Sequence, residues 1–279
     1  MRKVLVAFIF IAVFIGILAV LPSGAWERYN ITCKNPEAQK LADQIFQLLV
    51  RELTLENYKK AIMLAERAAK IEPDNDQLWV ELASNCWNYA DRLPKKTAPQ
   101  KKERLKWFDK GKAAAEKALA IKETAGAHFW YGTNLAAGGE MVSIIKSVWM
   151  FPHMVKHMKR SEELDPDYIY GGVARFWTEV SVRVPDMVMK MVGVDVKDAL
   201  KSIETQINRH PLYFENYVFI ARYLVRLKRK DDALKKLEFV LTHDPKSIPE
   251  PNLYSTNVES QGDARALWKE LTGKSYPAR

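Results

Sequence analysis

Little in this chain breaks a helix: its 279 residues include only 12 glycines and 13 prolines. Alanine, leucine, lysine and glutamate are abundant instead, a composition that favours helices over sheets. Catalytic signatures are missing as well. There is no G-x-S-x-G elbow, no H-E-x-x-H, no phosphate-cradling glycine loop and no Cys-x-x-Cys. Five histidines are present (His128, His153, His157, His210 and His243), none in a recognisable nucleophile context. These absences point away from an enzyme and from a bound cofactor, toward a protein that works by binding. Cysteine is scarce too. Cys33 and Cys86 are the full complement, and the sequence leaves open whether they pair in an oxidising compartment.

What is present begins at the amino terminus. Arg2 and Lys3 precede an unbroken apolar run, Val4 to Leu21. That is just enough to cross a bilayer as a helix, and longer than the usual core of a cleavable signal peptide. Ser23-Gly24-Ala25 supplies small residues suited to cleavage before Trp26. The alternative is an uncleaved anchor with its basic residues held inside. Either way residues 1–25 are a signal peptide or membrane anchor, and residues 26–279 are expected on the far side of the membrane. The expected location is periplasmic, with residues 4–21 as a tether to the inner membrane.

The net charge is +9, with basic residues gathered at Lys95-Lys96, Lys101 to Arg104, Lys156 to Arg160 and Arg226 to Lys230. Outside the cytoplasm a nucleic-acid partner loses its weight, which leaves anionic headgroups or an acidic partner as what such patches attract. Taken singly, each patch is also what a solvated helix face looks like.

Spacing gives the architecture. Ala61 precedes Pro73 by 12 residues, Ala199 precedes Pro211 by 12, and Ala233 precedes Pro245 by 12. Each interval carries an amphipathic helix: 58–71, 196–208 and 231–242. Each proline stands just past its helix, where it no longer breaks it. Leu164-Asp165-Pro166 ends a further segment in the same way, with Met154 in the alanine position, and 107–122 is a fifth helix without the proline. In the last unit Tyr217, Ile220, Ala221 and Leu224 form one apolar stripe, followed by Ala233, Leu237 and Val240. This unit resembles a tetratricopeptide repeat. Pro211 to Pro245 spans the standard 34 residues, but Pro166 to Pro211 spans 45. The expected fold is therefore all-α: an irregular tetratricopeptide-like helical repeat array with an N-terminal transmembrane or signal helix.

The centre of the chain reads Phe129-Trp130-Tyr131-Gly132-Thr133-Asn134-Leu135, then a long insertion, then Leu164-Asp165-Pro166-Asp167-Tyr168-Ile169-Tyr170-Gly171-Gly172, with Arg175 and Pro185 following. With the exported terminus, this resembles the TatT family, helical-repeat proteins associated with tripartite (TRAP-type) transporters. The resemblance runs from about Ala38 onward and is most specific from Asp165 to Arg175. The chain departs from the family in lacking a lipobox cysteine, and in placing Gly193-Val194-Asp195 where Gly-Gly-Asp is usual and further downstream. The resemblance implies a periplasmic partner of a solute-binding protein, oligomeric, with a groove for a hydrophobic ligand.

Seven of nine methionines fall between Met141 and Met191, among Phe129, Trp130, Tyr131, Trp149, Phe151 and Trp177. A flexible thioether surface with aromatics suits an apolar or amphiphilic solute; the same residues also suit a core. Gly138-Gly139 and Phe151-Pro152 suggest a loop or bent helix over a cavity. The candidate ligand residues are Trp130, Asn134, Trp149, Met150, Met154, Met158, Tyr170, Arg175 and Trp177. Arg175 would reach a ligand carboxylate or else tie repeats together through a carboxylate such as Asp165 or Asp167. His153 and His157, one helical turn apart beside Met154 and Met158, are a weaker copper alternative. The competing reading of the whole is an envelope scaffold that binds proteins and holds no small molecule.

Overall fold

The computed structural model describes residues 31–141, 144–183 and 196–277. The apolar run 4–21, Pro185, Met187, Met189, Met191, residues 193–195 and the side chain of Trp149 lie outside the described residues. Among the described residues there are eleven α-helices and no strand. None of these helices is long and apolar enough to cross a membrane.

Local chemistry sets the helix starts. Asn35 accepts from the Glu37 and Ala38 amides and opens α1 (Pro36–Arg51), with Pro36 in the first turn. Thr54 caps α2 (Leu55–Ile71), and Asn75 caps α3 (Asp76–Arg92). Thr97 and Gln100 form a reciprocal capping box at the head of α4 (Ala98–Ile121). Thr124 caps α5 (Ala125–Gly139), and α6 (Ile144–Leu164) runs through Pro152. After these come α7 (Gly172–Arg183), α8 (Val196–Arg209), α9 (Phe214–Arg226), α10 (Lys230–Thr242) and α11 (Tyr254–Thr272). Pro73, Pro166, Pro211 and Pro245 each follow a helix closely, as the spacing predicts.

These helices form two compact units divided between Tyr168 and Ile169. In the first, each helix from α1 to α6 packs on the next, and α3 also packs on α5. In the second, α7 packs on α8 and α9, α9 on α10, and α11 covers both α9 and α10. The repeat alanines do what their spacing suggests. Ala61, Ala199 and Ala233 are all buried, and so is Met154 in the equivalent place. A methyl at that position lets the partner helix approach closely. The second unit is filled by Ile203, Phe214, Val218, Ile220, Leu224, Leu237 and Val240. Each such side chain contributes about 1.5–3 kcal/mol by leaving water.

The second unit opens with unusual backbone. Ile169, Tyr170 and Gly171 are consecutive residues at φ of 43°, 54° and 87°. Two of them carry side chains that disfavour this region, at a cost of order 1–3 kcal/mol each. Gly171 also lies so close to Gln206 that a Cβ there would overlap its side chain. Gly171→Ala is therefore expected to destabilise this unit by about 1–3 kcal/mol, read as a lower urea midpoint.

Candidate functional site

The aromatic residues of α5 are held from several sides. Trp130 donates its indole N–H to the Tyr168 hydroxyl at 2.9 Å. Its ring lies 5.9 Å from Trp87 and edge-on to Phe129 at 5.0 Å. Met158, fully buried on α6, reaches toward Gly132, where the missing Cβ leaves room for its terminal methyl. Met154 is buried on the same helix and Met150 half-buried. Asn134 donates to the Ala83 carbonyl at 3.2 Å and the Trp130 carbonyl at 2.7 Å, tying α5 to α3. Its buried Oδ1 has no hydrogen-bond partner among the described residues. These side chains occupy the space between α3, α5 and α6. A groove of about 450 Å³ lies elsewhere in this unit, between α1 and α2, lined by Lys40, Asp43, Gln47, Leu48, Arg51 and Leu64 among others.

A polar chain unnoticed in the sequence runs along the edge of α5 and α6. The Arg160 guanidinium holds Glu123 with two nitrogens, at 2.8 and 2.9 Å. Glu123 faces His128 Nε2 at 3.1 Å, and His128 Nδ1 meets His157 Nδ1 at 2.9 Å. Tyr131 stacks on the His157 ring at 3.9 Å. With Nε2 turned to a carboxylate, a neutral His128 carries its proton there and accepts at Nδ1 from His157. Burial, His128, Lys156 and His153 together push His157 down to about 4, while Arg160 and His128 hold Glu123 down at about 2.

Both shifts have the same sign in acid. The unfolded chain takes up a proton at His157 below about 6.5, before the folded protein does, so stability falls as pH drops from there toward 4. Glu123 continues the loss as pH falls from its ordinary range toward 2. The His157 ring resonances are expected to titrate near 4 by NMR. In His157→Gln the urea midpoint should change less between pH 7 and 5 than in the unaltered chain.

Of the two histidines on α6, His157 thus meets His128 of α5. Among the described residues no three His, Cys, Asp or Glu side chains gather to hold a metal ion. Cys33 and Cys86 are both free, the first half-buried and the second buried. Burial pushes both thiols up, to about 11 and about 12.

In the second unit Arg175 is buried, and its partner is Glu215 at 3.0 Å rather than Asp165 or Asp167. It also donates to Asn216 at 2.8 Å and to the carbonyls of Tyr170 at 2.9 Å and Ile169 at 2.6 Å. The planar fork thereby fixes the left-handed turn ahead of α7. Its guanidinium lies over the Tyr213 ring at 4.9 Å, and Tyr213 stacks on half-buried Tyr170 at 4.8 Å. The Tyr213 hydroxyl gives Glu215 a second hydrogen bond at 2.8 Å. Trp177 is buried edge-on to Phe176. The candidate ligand residues therefore divide, Trp130, Asn134, Met150, Met154 and Met158 in the first unit and Tyr170, Arg175 and Trp177 in the second.

A second buried arginine fastens the α3–α4 hairpin. Arg104 is 1 % exposed and pairs with Asp91 at 2.9 Å. It lies on the same stripe of α4 as Phe108, Gly111, Ala115 and Ala118, and an arginine in such a stripe is the sequence signal for an internal ion pair. The histidine pair offers no such signal, since its members stand on different helices, far apart in the chain.

This architecture matches known proteins. The model of the family described as regulator of microtubule dynamics protein 1-3 matches residues 44–260, well over half of the chain. The chain belongs to the regulator of microtubule dynamics protein 1-3 family. The match covers both units of this family member, from α1 to α11. Among solved structures, a thermophilic TPR protein from Thermus thermophilus is similar at a TM-score of 0.50 and 16% identity, over 77% of this chain and 98% of that one. The MamA protein is similar at a TM-score of 0.35 and 12% identity, over 87% and 98%. At so low an identity the first likeness establishes the fold alone, an all-helical TPR-like repeat. The comparison with curated proteins gives no match. None of these matches names the TRAP-associated family that the Asp165–Arg175 segment resembles.

Proposed function

We propose that the chain is a non-catalytic helical-repeat scaffold that acts by binding a protein partner on its outer surface. One observation carries this reading. Trp130, Met154, Met158 and Trp177, the residues best suited to wall a solute site, are buried among neighbouring side chains, with Met158 reaching toward the bare Cα of Gly132. Stacked helix pairs of this kind expose an extended surface and bury a continuous core. The family's name describes regulators of microtubule dynamics. For this chain we take from it the role of a regulator that works through other proteins.

A second reading rests on the Asp165–Arg175 segment and the apolar run 4–21. In it the chain is a periplasmic, TRAP-associated component that holds an apolar or amphiphilic solute and docks a solute-binding protein. Native mass spectrometry of the chain isolated from its own cells, before and after organic extraction, separates the two. The scaffold reading expects the mass of the polypeptide alone in both. A stoichiometric apolar adduct lost on extraction would establish the solute reading in its place.

A further inference from the structure

Two of the chain's basic runs, at Lys95-Lys96 and Lys101 to Arg104, fall together on one hairpin. Residues 92–112, which span the α3–α4 connection and the first half of α4, hold nine lysines and arginines against two acidic residues, in a chain whose net charge is +9. The hairpin that carries them is firmly built. Arg104 is buried against Asp91, Thr97 and Gln100 close the capping box, and Trp107 sits edge-on to Tyr89 at 4.9 Å while donating to Glu103. Arg92 lies over the Tyr58 ring and Lys95 within the field of Asp91. Lys110 is engaged by Glu66 of α2 at 2.7 Å and Lys112 by Glu116 at 3.9 Å. Four lysines remain. Lys96, Lys102 and Lys106 are exposed and Lys101 half-buried, and none has an ion pair among the described residues. Lys102 and Lys106 stand one turn apart on the same face of α4, and Lys96 lies directly before the cap, where the helix terminus adds its own partial positive charge.

We propose that this face of the α3–α4 hairpin is the docking surface for an acidic, extended protein segment. The inference rests on the scaffold reading and names its partner class. Lys96 to Lys106 covers about 15 Å at 1.5 Å per helical residue, a length that about five residues of extended chain match. A run of aspartates or glutamates of that length, whose side chains alternate, would turn about three carboxylates toward Lys96, Lys102 and Lys106. An anionic membrane offers the same charge but also rewards an apolar anchor. Here Trp107 is tied down by Tyr89 and Glu103, with Lys106 and Lys110 over its ring, so it does not project to enter a bilayer.

The test uses the full chain and a fluorescein-labelled peptide of ten glutamates, with a ten-glutamine peptide as control. Vesicles containing phosphatidylserine are measured in parallel. The unaltered chain should bind the glutamate peptide and not the glutamine one, more weakly as salt rises from about 50 to about 200 mM. Reversing three lysines together, Lys96→Glu, Lys102→Glu and Lys106→Glu, should weaken binding about tenfold or more. A control with the same change in net charge, Lys59→Glu, Lys122→Glu and Lys274→Glu, should keep most of it. Three results would overturn the proposal: no binding of the glutamate peptide, an equal loss in the control, or stronger binding to the vesicles than to the peptide. The scaffold reading is decided separately, by the mass measurement above.

Discussion

Arg175→Met is expected to cost the second unit about 3–5 kcal/mol, because it removes one half of a buried ion pair and leaves the other half in place. Glu215 is 2 % exposed and would keep only the Tyr213 hydroxyl among the partners described above. The same change takes the guanidinium away from the carbonyls of Ile169 and Tyr170 in the left-handed turn, where Tyr170 keeps the Asn216 amide at 3.1 Å. A loss of that size is a large share of the roughly 5–15 kcal/mol that domains of this kind possess. Urea denaturation should show it as a strong shift in midpoint, and Arg175→Lys should recover part, since the ammonium keeps the charge but not the fork. Combining Arg175→Met with Gly171→Ala should cost less than the two singly, because both act on one turn. An unchanged midpoint in Arg175→Met would refute the structural role given to this residue.

Trp130→Ala should produce an effect of similar size in the first unit. Trp130 is 2 % exposed and meets Trp87, Phe129 and Tyr168. Truncation leaves a cavity and removes the indole donor from the Tyr168 hydroxyl, for an expected loss of about 3–5 kcal/mol. Trp130→Phe keeps most of the volume and should cost about 1–3 kcal/mol, chiefly through the lost indole N–H contact. The unfolding midpoint of the first unit, followed by circular dichroism, reads both. A tryptophan that merely walled a solute site would give nearly unchanged stability and a lost ligand, so this pair of variants also bears on the proposed function.

The repeat pattern was legible because it is local. An alanine set one short helix ahead of a proline, three times over, encodes a helix end and a close-packed neighbour within one window. Ala61, Ala199 and Ala233 are buried accordingly. Helix starts were less visible. The helix expected at 107–122 begins at Ala98, because the Thr97–Gln100 capping box sets its origin well upstream of the first strongly apolar turn. The sequence offers Arg175 either to a ligand carboxylate or to a nearby aspartate; the structure buries it against Glu215, a partner that was not legible. Asp165 and Asp167 are near in sequence, whereas Glu215 becomes near only when α9 packs on α7. The His128–His157 contact was hidden for the same reason, since it requires α5 and α6 to lie side by side.

The sequence by itself determined an all-helical chain, the repeat spacing, the proline stops and the charged segment between α3 and α4, because propensity, periodicity and composition are summed over neighbouring residues. Tertiary structure alone decided which carboxylate each buried arginine meets and which imidazoles touch. It alone placed Trp130, Met154 and Met158 among packed side chains. It also showed which lysines of the basic hairpin already have partners. Those outcomes depend on pairs far apart in the chain, and only the packing of one helix on another brings such pairs within a few ångströms.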